Sequence, residues 1–467
     1  MSSGRVIVLD VGKTLAKLSL WDEGGRQLAQ HVHVNQSVAA PGYRALDTAG
    51  IEQWLAAGLA DFARLGSVAA IVPVAHGAAA AVIRDGRLAC AVQDYEEQVP
   101  AQQLAAYRAG RDPFAQSGSP ALPDGLNLGL QLHRLETLVP GVLEGDAQIL
   151  PWPQYWAWRL SGVAASEVTS LGCHSDLWQP ARRIHSELAC TRGWAARLAP
   201  LRHAGQALGP LSPEWVARSG LPPQLRVHCG LHDSNAALLA ARGFREIGDH
   251  EATVISTGTW FVAMRSPAAV AAPDLTALPE RRDCLVNVDI HGRPVPSARF
   301  MGGREIEALG GFGALEQPAL LAAVPALLAG GAMVLPAWAP GVGPFPDARG
   351  RWIGEPADAA QRAAALGLYL ALMSDVALGL IGARQRILIE GRFAQAEVFV
   401  RALAALRPEA EVYAGGAYEA VPYGALRLVD PALPPPAALR RARPLEADLG
   451  RYRTEWLRRI GAQETCA

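Results

Sequence analysis

Lysine is nearly missing from this chain. Of its 43 basic residues only two are lysines, Lys13 and Lys17, and both sit in one short segment near the N-terminus. Acidic residues number 44, so the net charge is -1 and no global positive field exists to recruit nucleic acid or an anionic membrane. Cysteine is also scarce for 467 residues. Cys90, Cys173, Cys190, Cys229, Cys284 and Cys466 form no CxxC pair and no regular spacing, which excludes a disulfide framework and makes a reduced cytoplasm the default. No apolar region long enough for a signal peptide precedes the polar Asp10 in MSSGRVIVLDVG. The most apolar stretches, around 71–83 and 326–338, are interrupted by Pro73 and His76 or by paired glycines, short of the roughly 20 residues that span a bilayer. Half the residues are hydrophobic, which rules out wholesale disorder. The expectation is a soluble cytoplasmic protein of two or three domains.

Short strands broken by glycine turns fill the first forty residues. VIVLDV is an apolar run, while LAKLSLWD and RQLAQHVHV alternate, with tight turns at Gly12-Lys13 and at Glu23-Gly24-Gly25. Such an antiparallel meander differs from the strand-then-helix opening of a dinucleotide fold. The helix IEQWLAAGLADFARL and the buried strand VAAIVPVA follow, the latter ending at His76-Gly77, so the class is mixed α/β with helices covering a sheet. A second cycle starts near residue 226. RVHCG reads as a strand, LHD as a loop, SNAALLAARG as a helix stopping at Gly243, and EATVISTGTWFVAMRS as strand, glycine turn, strand. Setting VIVLDVGKTLAKLSL beside ATVISTGTWFVAMRS places Gly12 opposite Gly258, a weak internal repeat that suggests two similar domains. Residues 357–384 read as a long helical stretch, and RILIEGRFAQAEVFVRALAAL as strand, turn and helix. The arginine-rich tail after Asp430 reads equally as a surface helix or a disordered segment.

Neither GxxxxGK[ST] nor a strand-following GxGxxG occurs, so a phosphate site must rest on the hairpin turns. In Asp10-Val11-Gly12-Lys13-Thr14 the glycine lets the backbone approach a ligand, and successive N–H groups and the Thr14 hydroxyl can point at phosphate oxygens. Lys13 and Lys17 add compact positive charge where a planar guanidinium would not fit. Asp10, at a strand end, can hold Mg²⁺ through water. Ser256-Thr257-Gly258-Thr259 offers the same chemistry from the second half. Each turn alone is an ordinary hairpin, but a Gly–Thr turn in both halves, one holding the only lysines, points to a phosphate clamp. Asp233, in HCGLHDSNAALLAAR, stands at the start of a helix, where spacing alone favours capping over catalysis. That helix N-terminus would also keep its carboxylate ionised. His228, Cys229, His232 and Asp233 make a poor zinc set, because Gly230 argues against the helix that would align the two histidines.

From Val6 to about Asp430 the chain resembles the FGGY carbohydrate kinases, the sugar-kinase branch of the actin, hexokinase and heat-shock-ATPase superfamily. VIVLDVGKTLAK is similar to the first phosphate motif, D-x-G-T-[ST]-x-x-K, with Asp10, Gly12, Thr14 and Lys17 matching and Lys13 replacing a threonine. His76 and Gly77 fall on a His-Gly pair found at the sugar site of xylulose kinases, and Asp94 on a sugar-contacting acidic segment. GLHDSNAALLA is similar to the motif whose aspartate is the catalytic base, which carries that role onto Asp233. His232 before it matches a rhamnulose-kinase-like subgroup. ISTGTW is similar to the second phosphate motif, through Thr257, Gly258 and Thr259. LPAWAPGVGPFPDARGRWIG is similar to LPYLxGERxP…ARGxFxG. LIEGRFAQAEVFVRAL falls on the adenosine motif GGGSxN, where only Gly391 is kept, Glu390 and Arg392 replace glycines and Gln395 stands for the asparagine.

The resemblance implies two ribonuclease-H-like domains with a central cleft: 1–228 mainly for sugar, 229–440 mainly for nucleotide, and 441–467 as a tail. It implies ATP and Mg²⁺, with Asp10 at the metal, and transfer of the γ-phosphate to a hydroxyl of a ketopentose or deoxyketohexose. Dimers are common in the family, so a homodimer is possible. A polyol or glycerol acceptor is the first alternative. A non-catalytic, sugar-responsive binding protein on the same scaffold is the second, supported only by the altered adenosine motif. The Gln154-Tyr155-Trp156 segment leans towards a ring or longer ketose. A chaperone-like or polyphosphate-handling ATPase is disfavoured by the His-Gly strand.

Overall fold

The computed structural model describes residues 4–266, 274–416 and 418–464, so Cys466 lies outside the described residues. The first strands form where the apolar runs predict. β1 (Arg5–Val11) and β2 (Leu15–Trp21) pair antiparallel around the Gly12–Thr14 turn, β3 (Gln27–Val34) pairs with β2, and β4 (Val68–Ala75) runs parallel to β1. Ile7, Leu9 and Val11 of β1 and Ala16, Leu18 and Leu20 of β2 are fully buried. One side of the sheet is covered by α1 (Thr48–Ala63), whose Ile51, Leu55, Leu59 and Phe62 recur at helical spacing and join the same core. Asp47 starts that helix by accepting the Gly50 N–H at 2.9 Å.

The far flank of β4 receives β5 (Arg226–His228), parallel to it, and β6 (Leu231–His232), whose His232 stands opposite Ala75. LHD is therefore partly strand rather than loop: pairing with β4 gives its backbone hydrogen bonds that a loop would leave to solvent. Helix α2 (Asp233–Ala241) begins at the next residue.

A second sheet repeats the plan. β7 (Ala252–Thr257) pairs antiparallel with β8 (Phe261–Ser266), which pairs with β9 (Pro294–Phe300). On the other side β7 runs parallel to β10 (Arg386–Gly391), and β10 to β11 (Glu411–Ala414). Five strands of each sheet thus follow the same order, β3-β2-β1-β4-β5 in one and β9-β8-β7-β10-β11 in the other, and each sheet carries further strands besides these. The internal repeat read from Gly12 and Gly258 extends to this shared five-strand arrangement.

The chain divides into two compact units. One comprises Met1–Gly243, Val286–Pro294 and Glu419–Pro436; the other comprises Phe244–Leu285, Val295–Tyr418 and Ala437–Ala467. The first unit thus runs past residue 228 and takes back a later segment. The reason is a helix contact: in α3 (Ala420–Val429) a Cβ on Gly424 would come within 1.8 Å of the Ala236 carbonyl oxygen, so only glycine lets that helix lie directly on α2.

Residues 359–380 form one helix (Ala359–Leu380) that is long and apolar enough to cross a bilayer by length and composition, which no run of the sequence had suggested. Within its unit it is a core helix, and its buried Asp375 accepts the Arg407 Nε–H at 2.6 Å. The tail ends in a docked helix (Leu449–Glu464). Its Trp456 is fully buried and donates to the Val334 carbonyl at 2.7 Å, and the Tyr452 hydroxyl donates to Ala332 O at 2.8 Å.

Candidate active site

In the first unit the parallel strands end together, and their ends carry the chemistry. Asp10 is the partner of Val74 on one flank of β4, and His232 the partner of Ala75 on the other. Asp10 also stands directly opposite Lys17 across the β1–β2 hairpin, so the two side chains share a face. Lys17 Nζ lies 3.2 Å from Glu419, on the returning segment of the same unit. Burial pushes the Asp10 carboxyl up to about 7; the nearby Asp233 charge adds to this, Lys17 opposes it and Glu419 adds a little more.

Asp233 does not cap its helix. It is the first helical residue, and His232 occupies the cap position. Its Oδ1 accepts the Ser234 N–H at 2.5 Å and lies 3.1 Å from His232 Nε2, while Oδ2 takes no hydrogen bond among the described residues. Burial works against the charge of Asp233, but the His232 charge and hydrogen bond outweigh it and hold the group below the usual carboxylate range. Burial likewise opposes a charge on His232, yet the Cys173 sulfur and then Asp233 hold its pKa well above the ordinary value. The second ring nitrogen, Nδ1, meets the Asn235 side-chain amide at 3.1 Å.

His76, 9% exposed, completes this group. Its Nδ1 accepts the Ala78 N–H at 3.3 Å, which puts the ring proton on Nε2, and that buried N–H has no partner among the described residues. Burial lowers its pKa to about 4, so the ring is neutral near neutrality. Tyr95 stands edge-on to it with centroids 5.5 Å apart, and Trp152 at 6.3 Å. Gly77 is needed for closeness: a Cβ there would lie 2.6 Å from Cys173 Sγ and 3.1 Å from His232 Cδ2. A buried donor with no partner among the described residues, near an ionised carboxylate with a free oxygen, has the chemistry to receive a hydroxylated ligand.

On the adjoining turn, Gly12 N–H donates to Leu15 O at 3.0 Å, its carbonyl accepts from Asn35 Nδ2 at 2.8 Å, and Thr14 is exposed. Lys13 is engaged by Asp94 at 2.7 Å and by Glu96 at 3.4 Å, over the Tyr95 ring. Asp94 is saturated. Besides Lys13 it takes the Glu96 N–H at 3.0 Å, the Ser37 hydroxyl at 2.5 Å and Arg44 Nε at 3.0 Å, which fills the acceptor positions of a carboxylate. Its sugar-contacting role therefore meets a geometric obstacle: one of these partners must let go before an oxygen is free.

The second unit carries the other turn. Ser256 and Thr259 are exposed, and Gly258 N–H donates to Trp260 O at 3.0 Å. Thr257 is different: its hydroxyl donates to Glu390 O at 2.5 Å and accepts the Phe393 N–H at 3.0 Å, so it ties β7 to β10 and does not face a ligand. Gly391 pairs with Thr257 in register, and Gln395 Nε2 donates to Gly415 O at 3.3 Å. Glu390, which replaces a motif glycine, is buried; burial pushes its carboxyl up to about 7, and it accepts from the Tyr418 hydroxyl.

Gln154, Tyr155 and Trp156, read as a sugar-facing segment, belong to the core instead. All three are buried; Gln154 Nε2 donates to the Cys229 and Gly230 carbonyls, and the two rings pack with Trp152. Three contributors to the site escaped the sequence reading. Glu419 and Cys173 lie hundreds or tens of residues from their partners. Asn235 sits inside the Asp233 motif, and a helical i, i+3 step from His232 could have found it. Among the described residues no cluster of three or more His, Cys, Asp or Glu side chains could hold a metal. A single half-buried carboxylate such as Asp10 does suit Mg²⁺, which takes one or two carboxylates and completes its shell with water and phosphate.

Residues 249–436 match the family described as carbohydrate kinase FGGY, C-terminal domain. A carbohydrate kinase from Novosphingobium aromaticivorans is similar at 54% identity and a TM-score of 0.95, covering 99% of this chain and 100% of its own. A xylulose kinase from Rhodospirillum rubrum (18% identity, TM-score 0.76) and a glycerol kinase from Plasmodium falciparum with ADP (12%, 0.78) each cover 99% of this chain and 98% of their own, and share the fold. No curated protein matches.

Proposed function

Given that the chain belongs to the FGGY family of carbohydrate kinases, phosphotransferases built from two actin- and hexokinase-like domains, we propose that it moves the γ-phosphate of ATP to a hydroxyl of a ketose, a ketopentose or deoxyketohexose, with Asp233 as general base. The observation that carries this reading is an ionised, half-open Asp233 that interacts electrostatically with His76, whose buried Nε2–H has no partner among the described residues. A sugar offers both partners at once: one hydroxyl to give its proton to Oδ2, and another oxygen to accept from His76. Tyr95 supplies an apolar face for the carbon skeleton.

Asp233 orients the attacking hydroxyl and receives its proton as the new O–P bond forms and ADP leaves; in such loose transition states proton transfer is late and positioning matters most. His232 holds Oδ1 and leaves Oδ2 to the substrate. Asp10 would hold Mg²⁺ through water, and that ion would offset phosphate charge. Gly12, Lys13, Thr14 and Lys17 are the phosphate-side residues of the first unit; Gly258, Thr259, Gly391 and Gln395 are the nucleotide-side residues of the second, with Thr257 in support. His76, Gly77 and His232 line the sugar side, where Asp94 acts by holding Lys13.

The test is ADP release from Mg-ATP with ketotetroses, ketopentoses, deoxyketohexoses, glycerol and other polyols. Release confined to ketoses supports the proposal. Release with glycerol or another polyol alone moves the acceptor to the alternative class, and sugar binding by thermal shift without any release contradicts phosphotransfer to these acceptors.

A further inference from the structure

Cys173 appears in no motif, yet its sulfur is built into the site. Sγ lies 3.3 Å from His232 Nε2, the nitrogen that also lies 3.1 Å from Asp233 Oδ1. The sulfur has nowhere else to go. It is 2% exposed, and a Cβ on Gly77 would stand 2.6 Å from Sγ and 3.0 Å from the cysteine Cβ. Its segment is pinned from beneath. Thr169 Oγ1 accepts the His232 N–H at 3.1 Å and donates to Glu167 Oε2 at 2.5 Å, and the same carboxylate oxygen accepts the Thr169 and Ser170 N–H groups. The far side of the ring is fixed as well. With its Nδ2 towards the ring, the Asn235 amide leaves its buried Oδ1 without a partner among the described residues; with the amide turned over, that oxygen takes the Nδ1–H of a doubly protonated His232.

We propose that Cys173 is a positioning residue for Asp233: as a thiolate it holds His232 as an imidazolium, and that cation fixes Asp233 Oδ1 and leaves Oδ2 to the substrate. The inference rests on the base assignment made above. A neutral thiol would leave a buried imidazolium with one counter-charge; the thiolate gives it two, and the three groups together carry one net negative charge. Burial raises the thiol pKa, but His174 and His232 outweigh it and bring Cys173 down to about 6. Beyond these, the titratable groups around the pair are Asp233, His76 past Gly77, and Glu167, whose carboxyl burial pushes up to about 7. By contrast burial raises Cys90, Cys229 and Cys284 above the ordinary thiol range.

The test compares the wild-type protein with Cys173→Ser and Cys173→Ala. A thiolate absorbs at about 240 nm, so the wild-type minus variant difference should show a band around pH 8 that is lost in acid with a midpoint of about 6. With the ketose that turns over, D-xylulose being tried first, both variants should lower kcat by about tenfold or more, the loss expected for a charge-assisted hydrogen bond, and leave the sugar KM within about twofold. Serine keeps the shape but not the charge, so a merely structural cysteine would be rescued by it. A missing difference band, or Cys173→Ser with wild-type kcat, overturns the proposal. If one variant does not fold, the other supplies the same subtraction. Asp233→Asn run alongside separates the two claims: turnover retained there removes the base assignment, whereas a dead Asp233→Asn beside a fully active Cys173→Ser removes Cys173 alone.

Discussion

Replacing Asp10 by asparagine should stabilise the protein in base while abolishing its activity. Asp10 stands one residue before the end of β1, is partly buried, and feels Asp233 and Glu419 against the opposing cation Lys17. Its folded pKa of about 7 stands above the ordinary carboxylate value of 3.8. The folded state therefore binds this proton more tightly than the unfolded chain. The group's contribution is fully favourable below the unfolded pKa and is lost as pH rises through the folded one. A gap of about three units corresponds to a ceiling of about 4 kcal/mol, and water reaching a partly exposed carboxyl reduces this to about 1–3 kcal/mol. Asparagine has the same shape and no charge, so its advantage over the wild type is small near pH 4, grows between about pH 4 and 7, and is level above. Thermal unfolding without nucleotide or metal, at about pH 5 and about pH 8.5, checks this: the Tm advantage of Asp10→Asn should be larger at the higher pH by about 2–5 °C. An advantage independent of pH, or a variant less stable at the higher pH, refutes the electrostatic account. Lost turnover in the stabilised variant would mark Asp10 as strain kept for function.

His76→Ala should raise the sugar KM by about tenfold or more, through loss of its Nε2–H, and leave the ATP KM within about twofold; equal increases in both would place His76 in the scaffold. Lys13→Ala should raise the ATP KM by about tenfold, measured by ADP release at saturating sugar. Unchanged constants would make the Lys13–Asp94 pair a purely structural bridge.

Local patterns carried most of the fold. Alternation and glycine turns located β1 to β3 and the β7–β8 hairpin, because a half-buried strand writes its period directly into the chain. Burial of long-range segments was harder to read. The tail helix looks polar in sequence, and only its docking on Ala332 and Val334 shows that Tyr452 and Trp456 face inward. Tyr155 and Trp156 misled because aromatics in a helix look the same whether they fill a core or line a pocket. Spacing alone assigned Asp233 to capping and the family motif gave it the role of base; the structure places it at the first helical position with His232 against it. Thr257 and Ser256 are indistinguishable as hydroxyls in a turn, and strand alternation decides which one faces β10. Cys173 was invisible for a simpler reason: its partner is 59 residues away, and a cysteine beside a histidine carries no spacing signal.

The most direct test of the central claim is single-turnover transfer of phosphate from Mg-ATP to the active ketose by wild-type protein and by Asp233→Asn. The account predicts that the variant folds, binds both substrates, and transfers phosphate at least about a thousandfold more slowly, as loss of a positioned base allows. Transfer by Asp233→Asn within a few-fold of the wild-type rate would contradict it.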